Sequence, residues 1–395
     1  MKAVVFGAGK IARGFLGQLL YRSKCHTTYV DINKKLIGQL NETGRYYVNV
    51  MGNEKESEWI TDYDCVALDD IRSIAEKLYG ADVIFTSVGG KNLESIGKTI
   101  ANAFRISGIP DRLITIICCE NWKEPGQRLK NCIIDAFSNE AFKMAFEQHI
   151  GVTDAVIMRS AVEPAQQIID IDKNAVSVNN FWELPVDKTR VKGVDINITG
   201  LKYLDNFGGF LLQKLYTFNA TNSTIAYIGS LLGIKDLAEA ANDPRIIAIL
   251  HDVHKEINSA LPAELGIPVN DQISFSKKAI QKYQDRYVTD FTERHARDPI
   301  RKLGPEDRIV GTARVLERHS VEPDGLCTTL AAALYYDSDN EDDPSAAQLR
   351  ALRDTKGIDY ILENICKIGR DEPIAKNVTE KIRELKSRGW IHEHR

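Results

Sequence analysis

Lys2-Ala3-Val4-Val5-Phe6-Gly7-Ala8-Gly9-Lys10-Ile11-Ala12 is the stretch that decides the fold. Lys2–Phe6 is a short apolar run with the length and branching of a buried strand. It leads at once into Gly7-Ala-Gly9-Lys-Ile-Ala12, which fits the G-x-G-x-x-G/A pattern, and residues 11–21 follow with helical periodicity. The first glycine permits the tight turn, the second lets a pyrophosphate approach the backbone, and the small third residue packs helix against strand. The helix start offers unpaired N–H groups and the positive end of its dipole to phosphate. A second apolar run, 27–30, ends at Asp31, about 20 residues beyond the glycines, where a carboxylate can accept both adenosine ribose hydroxyls and repel a 2′-phosphate. The pattern therefore predicts a dinucleotide site for NAD rather than NADP, built from Phe6, Gly7, Ala8, Gly9, Lys10, Ile11 and Asp31. Lys34 and Lys35 lie near Asp31 and pull the other way. A glycine turn that binds another nucleotide, or none, is the competing reading.

Outward from this stretch, residues 82–87 and 113–119 are further β-branched runs, separated by helical patterns at 70–79, 92–105 and 124–137. Such alternation predicts a doubly wound, mostly parallel sheet covered on both faces. Ser87-Val88-Gly89-Gly90 follows one of these strands, where a chain passes under the nicotinamide half; a plain strand-end turn reads equally well. Residues 156–158 and 175–178 read as more strands. Beyond about residue 200 the texture becomes helical, with 207–218, 223–232 and 244–257 among the strongest stretches. The expected organisation is an α/β Rossmann domain over 1–195 and a mainly α-helical domain over 196–395 that handles substrate.

Composition sets the outer limits. At 395 residues with 43% hydrophobic and 27% charged content, the chain can bury a large core without metals or disulfides. A formal charge of −4 argues against nucleic acid or an anionic membrane as the main partner. Seven cysteines, none in C-x-x-C spacing, and an opening directly into a strand predict a cytoplasmic protein without a leader. No apolar run approaches the length that spans a bilayer. His251 and His254 lack a third ligand at metal spacing and read as a solvated helix face, with His392 and His394 in a polar tail; no metal site is expected.

A dehydrogenase without zinc needs a proton shuttle and donors for the developing alkoxide. Lys214-Leu-Tyr-Thr-Phe-Asn219-Ala-Thr-Asn222 offers both. At about 100° per residue, Lys214, Asn219 and Asn222 fall within an arc of roughly 140° on one helix. A solvated helix side is the plainer alternative.

Several short stretches then recur in one order: Phe6–Gly9 with Arg13-Gly-Phe15, Glu120-Asn121, Val186-Asp-Lys-Thr189, Asp205-Asn206, Lys214–Asn219, Ala226-Tyr-Ile-Gly229, Arg301-Lys-Leu303 with Asp307-Arg308, and Asp342-Asp-Pro344. In these the chain resembles the polyol-specific long-chain dehydrogenases, the mannitol dehydrogenase family, nearly end to end. The resemblance implies a zinc-independent, NAD-dependent reaction between a polyol and a ketose. Lys214 would be the general acid/base, and Asn121 and Asn219 the oxyanion hole. The family's compact sugar-phosphate enzymes imply a phosphorylated substrate, fructose 6-phosphate with mannitol 1-phosphate first, and a monomer. Arg159, Lys188, Arg301 and Lys302 are candidate phosphate partners, each with a surface ion pair as the alternative. The sequence departs from the family at Asn222, where the signature has histidine, and at Met158, where aspartate is usual. A hexuronate reductase, an unphosphorylated polyol dehydrogenase and a non-catalytic NAD sensor are the competing functions.

Overall fold

A computed structural model describes residues 1–193 and 196–391 and divides them into two compact units, Met1–Phe207 and Gly208–Arg395. The expected change of class near residue 195, and His392 and His394, lie at or outside the edges of the described residues.

The first unit is organised by six parallel strands in the order Tyr63–Ala67, His26–Asp31, Lys2–Phe6, Val83–Thr86, Ile114–Cys118, Ile150–Asp154. The period-two side-chain alternation sorts the opening run to opposite faces. Ala3 and Val5 join one apolar cluster with Phe15, Leu16 and Leu19, while Val4 and Phe6 join another with Leu78, Ile96 and Leu129. Chain order reverses between Lys2–Phe6 and its neighbour Val83–Thr86, whose registers pair Phe6 with both Val30 and Thr86. That reversal is the topological switch point at which such sheets bind ligands, and Gly7 stands directly on it.

One strand is displaced from its expected position. Residues 156–158 are irregular, and the sixth strand is Ile150–Asp154, paired from Ile114↔Ile150 to Cys118↔Asp154. Gly151, Thr153 and Asp154 dilute its apolar pattern, whereas Val156 and Met158 are apolar because they are buried. A smaller sheet, Glu58–Ile60, Tyr46–Val50, Val176–Val178, Ala161–Val162, packs beside the first helix, where Val178 and Val176 touch Gly14.

In the second unit the expected helices at 207–218 and 223–232 are one continuous helix. Phe207–Lys214 passes through a π-turn, Leu215–Asn219, into Ala220–Leu231. Its last segment is buried on every side from Ala220 to Gly229 and is surrounded by Leu237–Ala241, Pro244–Leu265, Thr292–Ala296 and Asp324–Leu334. Several polar side chains of this sheathed helix find partners. Thr221 meets His254 at 2.7 Å, Thr224 meets Thr329 at 2.9 Å, and Asn222 meets His295 at 2.9 Å. His254 is thus buried while His251 is exposed, so the two do not form the solvated face expected from their spacing.

Candidate active site

The glycine loop is built as the motif requires. Gly7 has φ +101°, and a Cβ there would lie 2.4 Å from the Ser87 carbonyl oxygen. Only glycine fits both constraints. A Cβ on Gly9 would meet nothing within 4 Å, so the backbone there stands open to an approaching ligand. Phe6 and Ala8 are buried beneath the loop. Lys10 forms an ion pair with Glu163, and Ile11 packs at the margin of the core. Gly7, Gly9, Asp31, Ser87 and Val88 line one cavity of about 320 Å³, with Ile32, Leu68, Asn92, Ser95 and Ile96 completing it. Gly89, at φ +81°, precedes the short helical turn Gly90–Asn92.

Two features of this cavity escaped the sequence reading. Asp31 accepts the Ala8 N–H at 2.6 Å and the Asn33 N–H at 2.8 Å, so it also closes the glycine loop. Arg13, 7% exposed, donates to the Ala8 carbonyl at 2.7 Å and fixes that loop from behind. The apolar wall could have been suspected from Ile32, a large side chain 79% exposed immediately after the selector carboxylate. Lys34 is engaged by Asp69 at 2.5 Å.

Past the fifth strand, Glu120 is buried and accepts the Thr86 hydroxyl at 2.7 Å and the Val88 N–H at 3.1 Å; burial pushes its carboxyl up. It therefore ties Asn121, which is exposed, to the chain that lines the cavity. Trp122 lies over Gly90, where a Cβ would come within 2.3 Å of its ring.

In the second unit the π-turn alters the geometry of the lysine–asparagine motif. An α-helix would set Asn219 about 140° away from Lys214, but a π-turn takes more residues per turn, so over Leu215–Asn219 it narrows that angle. Lys214 is half-buried; burial and then the charge of Arg308 bring its ammonium down to about 8. Lys282 is brought down to about 8 by burial and by Lys214 itself. Lys282 and Arg308 come from other elements; no local pattern announced Lys282, and Arg308 stood only within the Asp307-Arg308 stretch of the family resemblance.

The phosphate candidates separate on burial. Arg159 is 2% exposed, donates to the Asn179 and Gly14 carbonyls and to Gln18, and stacks 4.3 Å from the Trp182 ring. It holds the core of the first unit and cannot meet an anion from solvent. Lys188 pairs with Asp205 at 3.3 Å. Arg301 pairs with Asp298 at 2.5 Å and Asp307 at 3.0 Å. Lys302, 6% exposed, donates to the His295 carbonyl at 2.6 Å. Met158 is buried.

Residues 1–200 match the model of the mannitol dehydrogenase Rossmann domain, and residues 206–386 match that of the mannitol dehydrogenase C-terminal domain. The chain belongs to the mannitol dehydrogenase family. It is an oxidoreductase of that family. It is similar to a mannitol-1-phosphate 5-dehydrogenase of Thermoanaerobacter pseudethanolicus, with 30% identity over 98% of each chain. Among solved structures, a substrate-free D-sorbitol dehydrogenase shares the fold with TM-score 0.81 at 13% identity, over 98% of this chain and 93% of the other. The Pseudomonas fluorescens mannitol 2-dehydrogenase, solved with NAD and D-mannitol, gives 0.66 at 16% over 99% and 92%. Among the described residues no helix is long and apolar enough to cross a membrane.

Proposed function

We propose that this protein interconverts a hexitol phosphate and a ketose phosphate with NAD as the hydride carrier, mannitol 1-phosphate and fructose 6-phosphate being the first pair. Family membership supports the reaction class. The observation that carries the mechanism is Lys214, half-buried, with its ammonium brought down to about 8, on the same continuous helix as Asn219. A lysine tuned this close to neutrality gives up or takes a proton at the working pH.

The first unit holds the cofactor. The open backbone at Gly9 fits a pyrophosphate, Asp31 fits the adenosine ribose, Ile32 and Leu68 fit an apolar ring, and Ser87–Gly89 run toward the nicotinamide end. NAD, when bound, supplies the hydride chemistry. In reduction of the ketose, Lys214 delivers a proton to the carbonyl oxygen as it becomes an alkoxide. Asn219 donates a hydrogen bond to that oxygen without adding net charge. These groups together do what a zinc ion does in other alcohol dehydrogenases, and the reaction proposed here is zinc-independent. The phosphate end belongs in this reading with the cations around Lys214, namely Lys282 and Arg308, whose positive charges act on one another there.

A small phosphorylated sugar is the partner in this reading, not nucleic acid or a membrane. The cysteines, all free and mostly buried, suit a reducing cytoplasm. The test is oxidation of NADH followed by ultraviolet absorbance with fructose 6-phosphate, beside free fructose and an NADPH control. Rapid oxidation with NADH and the phosphate alone is the expected result. Equal rates with free fructose or a hexuronate, or none with any carbonyl, would refute it.

A further inference from the structure

Asn222 stands where the family signature carries histidine, yet the helix it sits on brings an imidazole to it from elsewhere in the chain. Asn222 Nδ2 lies 2.9 Å from His295 Nδ1, and His295 Nε2 lies 2.7 Å from Asp290 Oδ2. We propose that His295, held by Asp290, is a positioning residue that replaces the missing signature histidine by orienting the Asn222 amide toward a substrate hydroxyl. The inference rests on the dehydrogenase reading above and extends it to this site's recognition of polyol hydroxyls.

The geometry specifies direction as well as contact. Burial pulls the Asp290 carboxyl up, but its His295 contact, the Phe291 N–H and Arg294 outweigh this and bring it down to about 2. An ionised Asp290 accepts the proton on Nε2. With the ring neutral and its proton on Nε2, Nδ1 is an acceptor and the Asn222 NH₂ donates to it. The Asn222 carbonyl oxygen is thereby turned away from the ring, as an acceptor for a hydroxyl. Without the chain Asp290–His295–Asn222 the amide has no reason to prefer one orientation over its flip.

His295 is itself fixed on its remaining sides. Its carbonyl accepts from Lys302 at 2.6 Å, and the Tyr283 ring meets it edge-on at 6.4 Å. Asn222 is 5% exposed and lies three residues past Asn219, on the helix that carries Lys214. A histidine that only filled space would not need a carboxylate behind it. This arrangement is the orienter–imidazole–amide order by which proteins fix polar groups that touch substrate.

The test compares the parent with His295→Ala, His295→Gln, Asn222→His and the double variant Asn222→His/His295→Ala, measuring kcat and KM separately, NADH affinity by fluorescence, and melting. For His295→Ala, kcat/KM for the ketose phosphate should fall about 10- to 100-fold, mostly through KM, with NADH affinity unchanged. His295→Gln, which keeps a donor and an acceptor, should fall between parent and alanine, and it supplies the readout if the alanine variant fails to fold. The double variant should recover to within about threefold of the parent, because the imidazole now stands at the signature position. A histidine serving structure alone would show its loss in melting, with no rescue by Asn222→His. Unchanged kcat/KM in the folded His295 variants, or no rescue in the double variant, overturns the proposal. A parent that turns over no carbonyl, or Lys214→Ala that remains active, overturns the underlying reading instead.

Discussion

The glycine loop and the lysine helix build polar arrangements from opposite materials, the first at the start of a helix and the second in the middle of one. Around Gly7–Ala12 the recognition we propose is done by backbone. A positive φ, an open Cα at Gly9 and a helix start face the cavity, and the side chains that matter, Asp31 and Arg13, brace the loop through Ala8. Around Lys214 the recognition we propose is done by side chains gathered from separate elements: Asn219 from the same helix, Lys282 and Arg308 from others. Both helices contain a π-turn, Ala12–Leu16 and Leu215–Asn219, and the second lies between two of the residues we propose for the chemistry. All five residues of the first turn are buried. Backbone sites are written contiguously in sequence, whereas side-chain sites are assembled by the fold.

The sharpest way to break this comparison is Lys214→Ala. Turnover should drop about 1,000-fold, since the proton shuttle is lost outright, while NADH binding in the other unit stays within about twofold. Steady-state kinetics beside fluorescence titration of NADH reads both. Turnover near the parent's would show that the chemistry is not built on this side chain. A pH profile refines the point. With Lys214 at about 8, polyol oxidation, which needs the free amine, should rise with pH through about 8. Ketose reduction, which needs the ammonium, should fall through the same range.

Two glycine variants test whether the loop is a backbone device. Gly7→Ala puts a methyl 2.4 Å from the Ser87 oxygen at φ +101°, so it should weaken NADH binding about 30-fold and lower the melting point as well. Gly9→Ala meets no protein atom within 4 Å, so it should leave melting unchanged while weakening NADH through the approach it blocks. A Gly9 variant that binds normally would move the pyrophosphate elsewhere. Asp31→Ala should relax the preference for NADH over NADPH by about 10-fold, since it removes both the ribose acceptor and the repulsion of a 2′-phosphate.

The difference between the two regions also explains what could be read before the structure. Six residues around Gly7 specify strand, turn and helix in one line, and Gly7 and Gly9 from that line share a cavity with Asp31, Ser87 and Val88. The lysine helix announced Lys214, Asn219 and Asn222 but not their arrangement, because a constant 100° step misses a π-turn. His295 and Lys282 gave no signal, since a histidine in Thr292–Ala296 looks like any helix surface until the fold turns it toward Asn222. Residues 156–158 misled because apolar character reports burial and not pairing. Arg159 misled for the converse reason: a charged residue was taken as available when the core had enclosed it. Part of the family resemblance is likewise architectural. Asp187 accepts from Thr189 and pairs with Arg190, which reaches Asp154, and Asp343 caps Pro344–Lys356.

The smallest expected effect concerns stability and is confined to the side-chain region. His254, behind the lysine helix and bonded to Thr221, is brought down from the usual 6.5 to about 4 by burial and then by His251. The folded state therefore resists protonation that the unfolded chain accepts below about 6.5. The sign is that of a depressed group: its contribution is present above pH 6.5 and is lost progressively as pH falls toward 4. Integrated over that window it amounts to at most about 3 kcal/mol. His254→Asn should cost about 1 kcal/mol at neutral pH, through the weakened bond to Thr221, and should flatten the acid slope between pH 6.5 and 4 relative to the parent. Denaturant midpoints of both proteins across that range measure the difference and cancel the carboxylates common to both. Parallel slopes would mean that His254 is not excluded from protonation by the fold, and that the packing behind the lysine helix is looser than the Thr221 contact implies.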